Sequence, residues 1–427
     1  MANPVKTEPA LPFHPLIAKW FQQRYGSPTE IQSLSWPQIM AGSHVLISAP
    51  TGSGKTLTAF LSALNALASG EVSTGGLRIL YISPLKALNN DIRRNLITPL
   101  EELKSHFESA GETFPDVRVS VRSGDTPDDE RRSMMRHPPE ILITTPESLN
   151  ILLTSSNGRR IFEGLNTVIL DEIHSVAPTK RGVHLMTAVE RLELLCPGFQ
   201  RIALSATVRP MERVARFVGG YERLVSGSEV IYRPRPVEVL ETSVRKEYAL
   251  EVDFPVVEHG SRELETASKS EWPEDVLFGS IVQRLKEIIK SNRSTLIFTN
   301  SRRMAEKISM LINEGEDQIL SYCHHGALSR EIRSVVEQDL KEGRLPAVVA
   351  TASLELGIDI GDLDQVVLIQ SPGFLSTTLQ RLGRAGHSVG AISRGLFLPL
   401  HGRDLLQSAI LAGSVEAREI EEVQPIR

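Results

Sequence analysis

The sequence predicts an α/β protein made of two tandem units, each built on a parallel sheet with helices on both faces. Short apolar runs rich in Val, Ile and Leu alternate with amphipathic helical stretches, the pattern of strands buried in a parallel sheet. This alternation stops at an irregular segment within 225–273 and then starts again. The chain has 427 residues, 41% of them hydrophobic, which is enough for two ordinary cores.

The strands and helices of each unit follow from this alternation and from bounding Gly, Pro, Asp or Ser residues. In the first half we predict strands at 44–48, 77–83, 117–121, 141–144, 167–171 and 201–205, and helices at 56–67, 85–104 and 185–195. In the second half we predict strands at 294–299, 319–323, 347–351, 365–369 and 394–398, and helices at 275–290, 302–314 and 330–341.

The join between the units falls in a segment that has no periodic pattern. Residues 232–236 (YRPRP) cannot be helical, and 258–273 is polar, charged and without periodicity. We therefore predict domain 1 at 1–225 and domain 2 at 226–427, with an irregular charged insert at about 245–273 and a margin of about ten residues. The segment 237–244 is a possible strand of the second unit.

Composition excludes several classes of protein. Lys and Arg total 47 against 52 Asp and Glu, so the net charge of −5 excludes a uniformly basic coat but permits a local basic groove. The two cysteines, Cys196 and Cys323, cannot form a disulfide framework or a zinc cluster, which fits a cytoplasmic protein. The sequence has no secretory signal and no apolar run long enough for a membrane span. We expect a monomer.

A phosphate-binding loop is predicted at 49–56 (APTGSGKT), between an apolar strand and an Ala/Leu-rich helix. Gly52 and Gly54 would let backbone N–H groups surround an anion at the helix N-terminus, together with Thr51 and Ser53. Lys55 would reach the β- and γ-phosphates of ATP, and Thr56 would bind Mg²⁺. A glycine-rich turn that only caps a helix is the alternative.

Two acids end the predicted strand at 167–171, in the segment TVILDEIH. Strand ends of this kind lie where ligands collect in open α/β sheets. Asp171 would hold Mg²⁺, and Glu172 would orient or deprotonate the attacking water. A solvated acidic strand end is the alternative. His174, taken alone, is more often a packing residue than a catalyst.

An arginine pair in the second half of the sequence helps to distinguish among the classes of protein that use a phosphate loop. Arg381 and Arg384 lie in 380–387 (QRLGRAGH), among small residues that allow close packing. A guanidinium that reaches the γ-phosphate raises turnover by about three to five orders of magnitude. A solvated basic helix face is the alternative.

Together these residues resemble a superfamily 2 helicase of the DEAD/DEAH type, and most closely the Lhr group. Residues 28–32 (PTEIQ) resemble the Q motif, so the resemblance implies that Gln32 contacts adenine, with Phe13 or Tyr25 as its upstream aromatic partner. The segments 49–56, 171–174 and 205–207 resemble motifs I, II and III. The segments 297–302, 351–359 and 380–387 resemble motifs IV, V and VI.

This resemblance implies two RecA-like domains with a nucleotide cleft between them. Within motif V it assigns Gly357 and Asp359 to the nucleotide, and within motifs II and VI it adds His174, Arg384 and, more weakly, Arg381 to the catalytic set. Motif VI ends in His387 where a second arginine is common. In the Lhr group a winged helix follows the two motor domains, and this chain ends where that domain would start, so strand separation stays open.

The resemblance also implies a sequence-independent nucleic-acid track. Its members are mostly small polar residues that bind phosphate without reading bases, and individually each could instead cap a helix or a turn. They are Pro84, Lys86 and Asn89 of motif Ia, Thr144 and Thr145 of motif Ib, Arg181, Thr299, Asn300, Ser301 and Arg302 of motif IV, His325 and Thr351. With 5% aromatic residues, an extensive base-stacking platform is not evident.

The expected function is an ATP-dependent helicase that moves along single-strand-tailed DNA or RNA–DNA hybrids. The resemblance implies 3′→5′ movement and a role in DNA repair. An ATP-gated RNA clamp that melts duplexes locally without travelling is the main alternative. A phosphotransferase would leave motifs IV to VI unexplained, and a non-catalytic binding module is hard to reconcile with Lys55, Asp171 and Glu172.

Overall fold

The computed structural model describes residues 11–50, 52–84, 86–226, 229–243, 246–254, 274–355, 360–386, 391–419, 422 and 424–425. These residues form two compact units: 11–49, 53–243, 422 and 424–425 belong to the first, and 50, 52 and the described residues of 246–419 belong to the second. Across the described ranges, no helix combines the length and the apolar character that a membrane crossing needs. Thr51, Gly357, Asp359 and most of the predicted insert, 255–273, lie outside the described residues.

Between residues 45 and 219, each strand of the first unit is followed by one or two helices, and three consecutive strands come after them. Its helices are α1 (Pro15–Tyr25), α2 (Glu30–Met40), α3 (Lys55–Ala68), α4 (Lys86–Ser109), α5 (Asp128–Arg136), α6 (Pro146–Thr154), α7 (Ser156–Arg160), α8 (Ile173–Val176), α9 (Lys180–Leu195) and α10 (Met211–Gly219). Its strands are β1 (Val45–Ser48), β2 (Ile79–Ile82), β3 (Val119–Arg122), β4 (Ile141–Thr144), β5 (Thr167–Leu170), β6 (Gln200–Ser205), β7 (Tyr221–Ser226), β8 (Glu229–Pro234) and β9 (Glu238–Glu241).

The first sheet is parallel throughout and has the order β3-β4-β2-β5-β6-β1-β9. Strands β5, β6 and β1 are therefore neighbours, with Val45 beside Ile202 and Thr167 beside Gln200. Because carboxyl ends of parallel strands share one edge, the segments that follow these three strands meet there. Those segments are the phosphate loop, the Asp171–Glu172 pair and motif III.

Both faces of this sheet are buried. Along β1, Val45 and Ile47 belong to one hydrophobic cluster, whereas Leu46 belongs to a second cluster on the other face. Alternate side chains of a strand point to opposite faces, so a continuous apolar run is what a sheet between two helical layers requires.

An exposed antiparallel hairpin, β7–β8, follows α10. Its root is fixed by two arginines that share the carboxylate of Glu190. Arg201 is fully buried and its Nη1 donates to Glu190 Oε1 at 2.8 Å and to the carbonyl of Gly219 at 2.9 Å. Arg235 Nη1 donates to the same carboxylate at 3.0 Å. Charged hydrogen bonds to these groups offset the cost of burying a guanidinium.

The second unit is a separate parallel sheet with the order β10-β15-β14-β11-β13-β12. Its strands are β10 (Glu247–Val252), β11 (Thr295–Phe298), β12 (Ser321–His324), β13 (Ala347–Ala350), β14 (Gln365–Ile369) and β15 (Ile392–Leu398), and its helices are α11 (Glu274–Ser291), α12 (Arg302–Asn313), α13 (Arg330–Lys341), α14 (Leu375–Leu382) and α15 (Gly402–Glu416). A short 3₁₀ helix, Ala352–Leu354, follows β13.

The predicted domain boundary at 225/226 was wrong by about twenty residues. Strand β9 pairs with β1 in the first sheet, with Val45 beside Glu238, so 229–243 belongs to the first unit and is not a strand of the second. Near the other end of the chain, Glu422 forms a bridge with Arg209 and also belongs to the first unit. The predicted irregular insert begins with a regular strand, because β10 pairs with β15.

Candidate nucleotide site and nucleic-acid residues

The phosphate loop has the backbone that anion binding needs. Gly52 and Gly54 adopt left-handed conformations, with φ of 78° and 85°, which glycine reaches at little cost. Lys55 begins α3, and its Nζ donates to the carbonyl of Ala49 at 2.5 Å. Burial lowers the pKa of Lys55, while the carboxylates of Glu172 and Asp171 oppose this effect. The loop therefore holds a cation beside two acids at the start of a helix.

Gln32 of the Q motif packs against this loop. Thr29 and Gln32 form a capping box at the start of α2, in which Gln32 Oε1 accepts from the Thr29 N–H at 2.9 Å. Thr29 Oγ1 also donates to the carbonyl of Ser53 at 3.0 Å. A methyl group added at Gly54 would lie 2.7 Å from Gln32 Nε2. Gln32 thus braces the phosphate loop, and its contact with adenine stays a prediction.

The two candidates for the aromatic partner of the Q motif differ in accessibility. Phe13 is buried and packs edge-on against Trp36, with ring centroids 4.8 Å apart. Tyr25 is 44% exposed at the end of α1. Only Tyr25 of this pair has a ring surface open to a ligand.

Asp171 lies in an environment that opposes its ionisation. It is buried, and burial together with the neighbouring Glu172 raises the pKa of Asp171 to about 7. Its Oδ2 accepts from the hydroxyl of Tyr81, and its Oδ1 accepts from the Glu172 N–H at 2.8 Å. Tyr81, which sequence reasoning missed, sits on β2 within an apolar run, so only its position beside β5 reveals this contact.

The hydroxyl of Thr56 and the carboxyl of Asp171 are hard oxygen ligands of the kind that Mg²⁺ prefers. A bound cation would favour the ionised form of Asp171 and so relieve the cost of its burial. The residues present therefore fit ATP with Mg²⁺.

His174 links the acid pair to motif III. Burial lowers the pKa of His174 to about 4, and Lys55 adds to this effect, so the ring is neutral at pH 7. Its Nδ1 accepts from the Ala206 N–H at 3.1 Å, which assigns the proton to Nε2. Nε2 lies 3.3 Å from Glu172 Oε2. His174 therefore lies between the carboxylate of Glu172 and the backbone of motif III.

Glu172 itself has a strained backbone, with φ of 47°. A non-glycine residue in this region costs roughly 1–2 kcal/mol and is common at functional sites. The turn after β5 thus holds the acid at a position that an ordinary strand end would not give.

In the second unit, both motif VI arginines are buried and contact Glu355. Arg381 Nε donates to Glu355 Oε2 at 3.0 Å, and Arg381 Nη1 donates to Asn300 Oδ1 at 3.0 Å. Arg384 Nε and Nη2 donate to the backbone carbonyl of Glu355 at 3.1 and 3.0 Å. Burial raises the pKa of Glu355, and the two arginines oppose this.

Lys246 donates to the carbonyl of Gly383 at 2.8 Å. Neither Glu355 nor Lys246 was predicted from the sequence.

Several predicted nucleic-acid contacts in the first unit have internal roles. Thr144 is buried and donates to the carbonyl of Arg122 at 2.7 Å, whereas Thr145 is buried and caps α6. Pro84 is also buried. These three side chains are therefore buried within the first unit and are not exposed to a ligand. The side chains of Lys86 and Asn89 lie outside what the structure describes.

Arg181 is partly exposed, with 36% of its side chain open to solvent. It forms a two-bond pair with Glu147, at 2.6 and 2.9 Å. A solvent-exposed pair of this kind is weak, so exchanging the carboxylate for a phosphate costs little.

In the second unit the predicted residues separate into buried and exposed sets. Thr299 and His325 are buried, and His325 Nε2 lies 2.9 Å from Glu306. Thr351 is half-buried. Asn300, Ser301 and Arg302 are exposed at the N-terminus of α12, where Ser301 caps the helix. Exposed donors at a helix N-terminus suit a phosphate.

Two family models match this chain. The DEAD/DEAH box helicase model matches residues 29–214, and the helicase conserved C-terminal domain model matches residues 280–388. The chain belongs to the DEAD/DEAH box helicases. The two matched segments contain the site residues described above in each unit.

Known relatives assign this helicase to the Lhr group. It is 40% identical to the Lhr helicase/probable uracil glycosylase of Mycolicibacterium smegmatis, over 96% of this chain and 28% of that protein. It is 39% identical to the Lhr helicase/uracil glycosylase of Escherichia coli, over 97% of this chain and 29% of that protein. It is 42% identical to the ATP-dependent helicase Lhr-Core of Methanothermobacter thermautotrophicus, over 95% of this chain and 46% of that protein. The chain thus spans less than half the length of these relatives.

Solved structures agree with this assignment. The structure of Mycobacterium smegmatis helicase Lhr bound to ssDNA and AMP-PNP matches with a TM-score of 0.84 and 41% identity, over 97% of this chain and 51% of that chain. Mss116p bound to ssRNA and AMP-PNP matches with a TM-score of 0.74 at 16% identity, which supports the fold alone. The predicted fold class of two RecA-like parallel-sheet units is confirmed.

Proposed function

We propose that this helicase hydrolyses ATP to move along a nucleic-acid strand, with single-strand-tailed DNA or an RNA–DNA hybrid as its substrate. The observation that carries the proposal is the group formed by Lys55, Asp171, Glu172 and His174 at one sheet edge. The contact of His174 with the Ala206 N–H connects this group to motif III. A pocket that only bound nucleotide would have no need for an acid held by a neutral histidine.

In this mechanism the first unit binds and orients the phosphates. Lys55 and the loop N–H groups bind the β- and γ-phosphates, and Glu172 orients the attacking water and accepts its proton. Thr56 and Asp171 would hold Mg²⁺, which neutralises phosphate charge when bound. His174 keeps the carboxylate of Glu172 in one orientation.

We further propose that Arg384 acts as an arginine finger on the γ-phosphate. Its motif and its fixed, buried guanidinium support this role, in which it stabilises the charge that develops during hydrolysis. Loss of the γ-phosphate would then change the contacts of the motif VI segment and convert hydrolysis into movement.

The DNA substrate is supported by the 41% identical Lhr structure with bound ssDNA. A role in DNA repair is supported by relatives named as helicase and uracil glycosylase. The 3′→5′ direction and cytoplasmic location rest on resemblance and composition, respectively.

The test is ATP hydrolysis measured in parallel with no polymer, with single-stranded DNA and with RNA. We expect stimulation by DNA, and loss of nucleotide binding or turnover in Lys55→Ala. Displacement that requires a long 3′ tail and stops at a block on that strand supports translocation. Displacement independent of a tail would instead identify a clamp that melts duplexes locally, and polymer-independent hydrolysis would overturn the proposal.

A further inference from the structure

Glu355 lies where both motif VI arginines converge. It follows the 3₁₀ helix Ala352–Leu354, and its N–H donates to the carbonyl of Ala352 at 3.2 Å. Its carboxylate binds Arg381, and its carbonyl binds Arg384 through two N–H groups. One residue therefore holds the first arginine by its side chain and the second by its backbone.

Arg381 is bound on three sides. Besides Glu355, its guanidinium donates to Asn300 Oδ1 and lies over the ring of Phe298, 5.2 Å from the centroid. Only 7% of its side chain is exposed. Moving Arg381 to a phosphate would leave the carboxylate of Glu355 buried without its cation, which is strongly unfavourable. This geometry suits a fixed brace and opposes a second arginine finger.

Glu355 holds Arg384 differently, through its neutral backbone carbonyl. The two parallel contacts fix the plane of the guanidinium and remove much of the rotamer freedom of a long side chain. The carboxylate of Glu355 forms its hydrogen bond with Arg381 and attracts Arg384 through its charge. The side chain of Arg384 is thus oriented by the backbone of Glu355.

The 3₁₀ helix before Glu355 is anchored from its other side. Ser353 Oγ donates to the carbonyl of His324 at 3.0 Å, and His324 Nδ1 lies 2.8 Å from the same hydroxyl. His324 Nε2 lies 3.0 Å from Glu337 on α13. The carbonyl of Glu355 is therefore set by the end of β12 on one side and by Arg381 on the other.

We propose that Glu355 is a positioning residue for the arginine finger Arg384, and that Arg381 anchors Glu355 instead of contacting the nucleotide. This inference rests on the proposed function of Arg384. In this proposal, Glu355 and Arg381 affect turnover only by fixing the position of Arg384.

The test is the turnover of Glu355→Gln, Arg384→Ala and the double variant, at saturating nucleic acid. Gln keeps the shape of Glu355 but removes the charge that holds Arg381. We expect kcat to fall about tenfold in Glu355→Gln, with KM for ATP within about twofold, because only the transition-state contact is displaced. Arg384→Ala should lose about a hundredfold or more. The double variant should be no slower than Arg384→Ala, since Glu355 acts through that residue.

Asp253→Asn is the matched control, because it also removes a carboxylate from an arginine pair in this unit, with Arg284. It should leave kcat within about twofold, and thermal unfolding should confirm that each variant is folded. If Glu355→Gln does not fold, Arg381→Lys replaces it, since an ammonium cannot keep the guanidinium geometry that joins Glu355 to Asn300.

The outcomes that contradict the positioning role and the arginine finger differ in their effect on kcat. A double variant that is about tenfold slower than Arg384→Ala would overturn the positioning role, as would wild-type kcat in Glu355→Gln. Wild-type turnover in Arg384→Ala would instead overturn the proposed finger itself.

Discussion

The buried carboxyl of Asp171 predicts a pH-dependent stability difference between the wild type and Asp171→Asn. The pKa of Asp171 is raised from 3.8 to about 7, chiefly by burial. The folded chain therefore binds more protons than the unfolded chain between these values, and its stability falls as pH rises across that window. Three pKa units at about 1.4 kcal/mol each give on the order of 4 kcal/mol.

Asparagine resembles the protonated carboxyl and does not ionise. It keeps an oxygen for the Glu172 N–H, and the hydroxyl of Tyr81 can rotate to accept from its amide. The variant should therefore match the wild type near pH 4 and exceed it above pH 7, with a difference in Tm on the order of 10 °C. His174, whose pKa is lowered to about 4, contributes the opposite slope, but it is present in both proteins and largely cancels.

The assay is thermal unfolding of both proteins from pH 4.5 to 8, without nucleotide or Mg²⁺. Asp364→Asn is the control, because hydrogen bonds from Arg293 lower the pKa of Asp364 below its ordinary 3.8 despite its partial burial, so this carboxyl is ionised in both the folded and the unfolded chain throughout this pH range. That variant should differ from the wild type by a Tm offset that does not change with pH. A Tm difference for Asp171→Asn that is constant across this range would refute the reasoning.

Two further predictions concern the same site. Gly54→Ala adds a methyl group 2.7 Å from Gln32 Nε2 and should weaken binding of a fluorescent ATP analogue about tenfold. Gly42→Ala, with φ of 79° and nothing within 4 Å of the added carbon, is its control for backbone strain and should bind normally, so equal loss in both would exclude the clash. Glu172→Gln should bind ATP with wild-type affinity, hydrolyse it at least a hundredfold more slowly and stay on nucleic acid longer, as measured by stopped-flow release. Normal hydrolysis in that variant would remove Glu172 from the mechanism.

The buried strands could be predicted from the sequence because each is a continuous apolar run. A strand covered on both faces needs apolar residues at every position, and β1, β5 and β13 illustrate this with four buried residues each. The predicted strands all overlap strands of the structure. The order of motifs then places their functional residues at the carboxyl edges of the two sheets.

The domain boundary could not be predicted in this way. Strand β9 reads EVLE and is only partly buried, so its composition does not indicate which sheet it joins. Its partner, β1, lies far away in the sequence, and nothing local specifies that pairing. The hairpin β7–β8 was missed for a related reason: β8 is exposed along its whole length and carries no buried pattern.

Polar site residues differ in which neighbouring group fixes their position, and the sequence does not reveal that group. Thr145 and Ser301 match nucleic-acid motifs, yet both cap helices, a role that the same residue type performs in any protein. Conversely, Tyr81 and Glu355 match no predicted role, yet they contact Asp171 and the two arginines. A motif thus identifies the group that acts on a ligand more readily than the group that fixes its position.

The electrostatics of the two units explain why these side chains need neighbouring groups that fix their position. Burial moves the pKa of Lys55 down and the pKa values of Asp171 and Glu355 up, so each charged form is disfavoured in the folded chain. A phosphate with its cation would supply the opposite charges to the first two groups, so ligand binding would offset a cost that folding alone leaves in place. Glu355 is offset instead by Arg381 within its own unit. The first set is therefore suited to bind and release a ligand, whereas the second is suited to stay fixed while Arg384 acts.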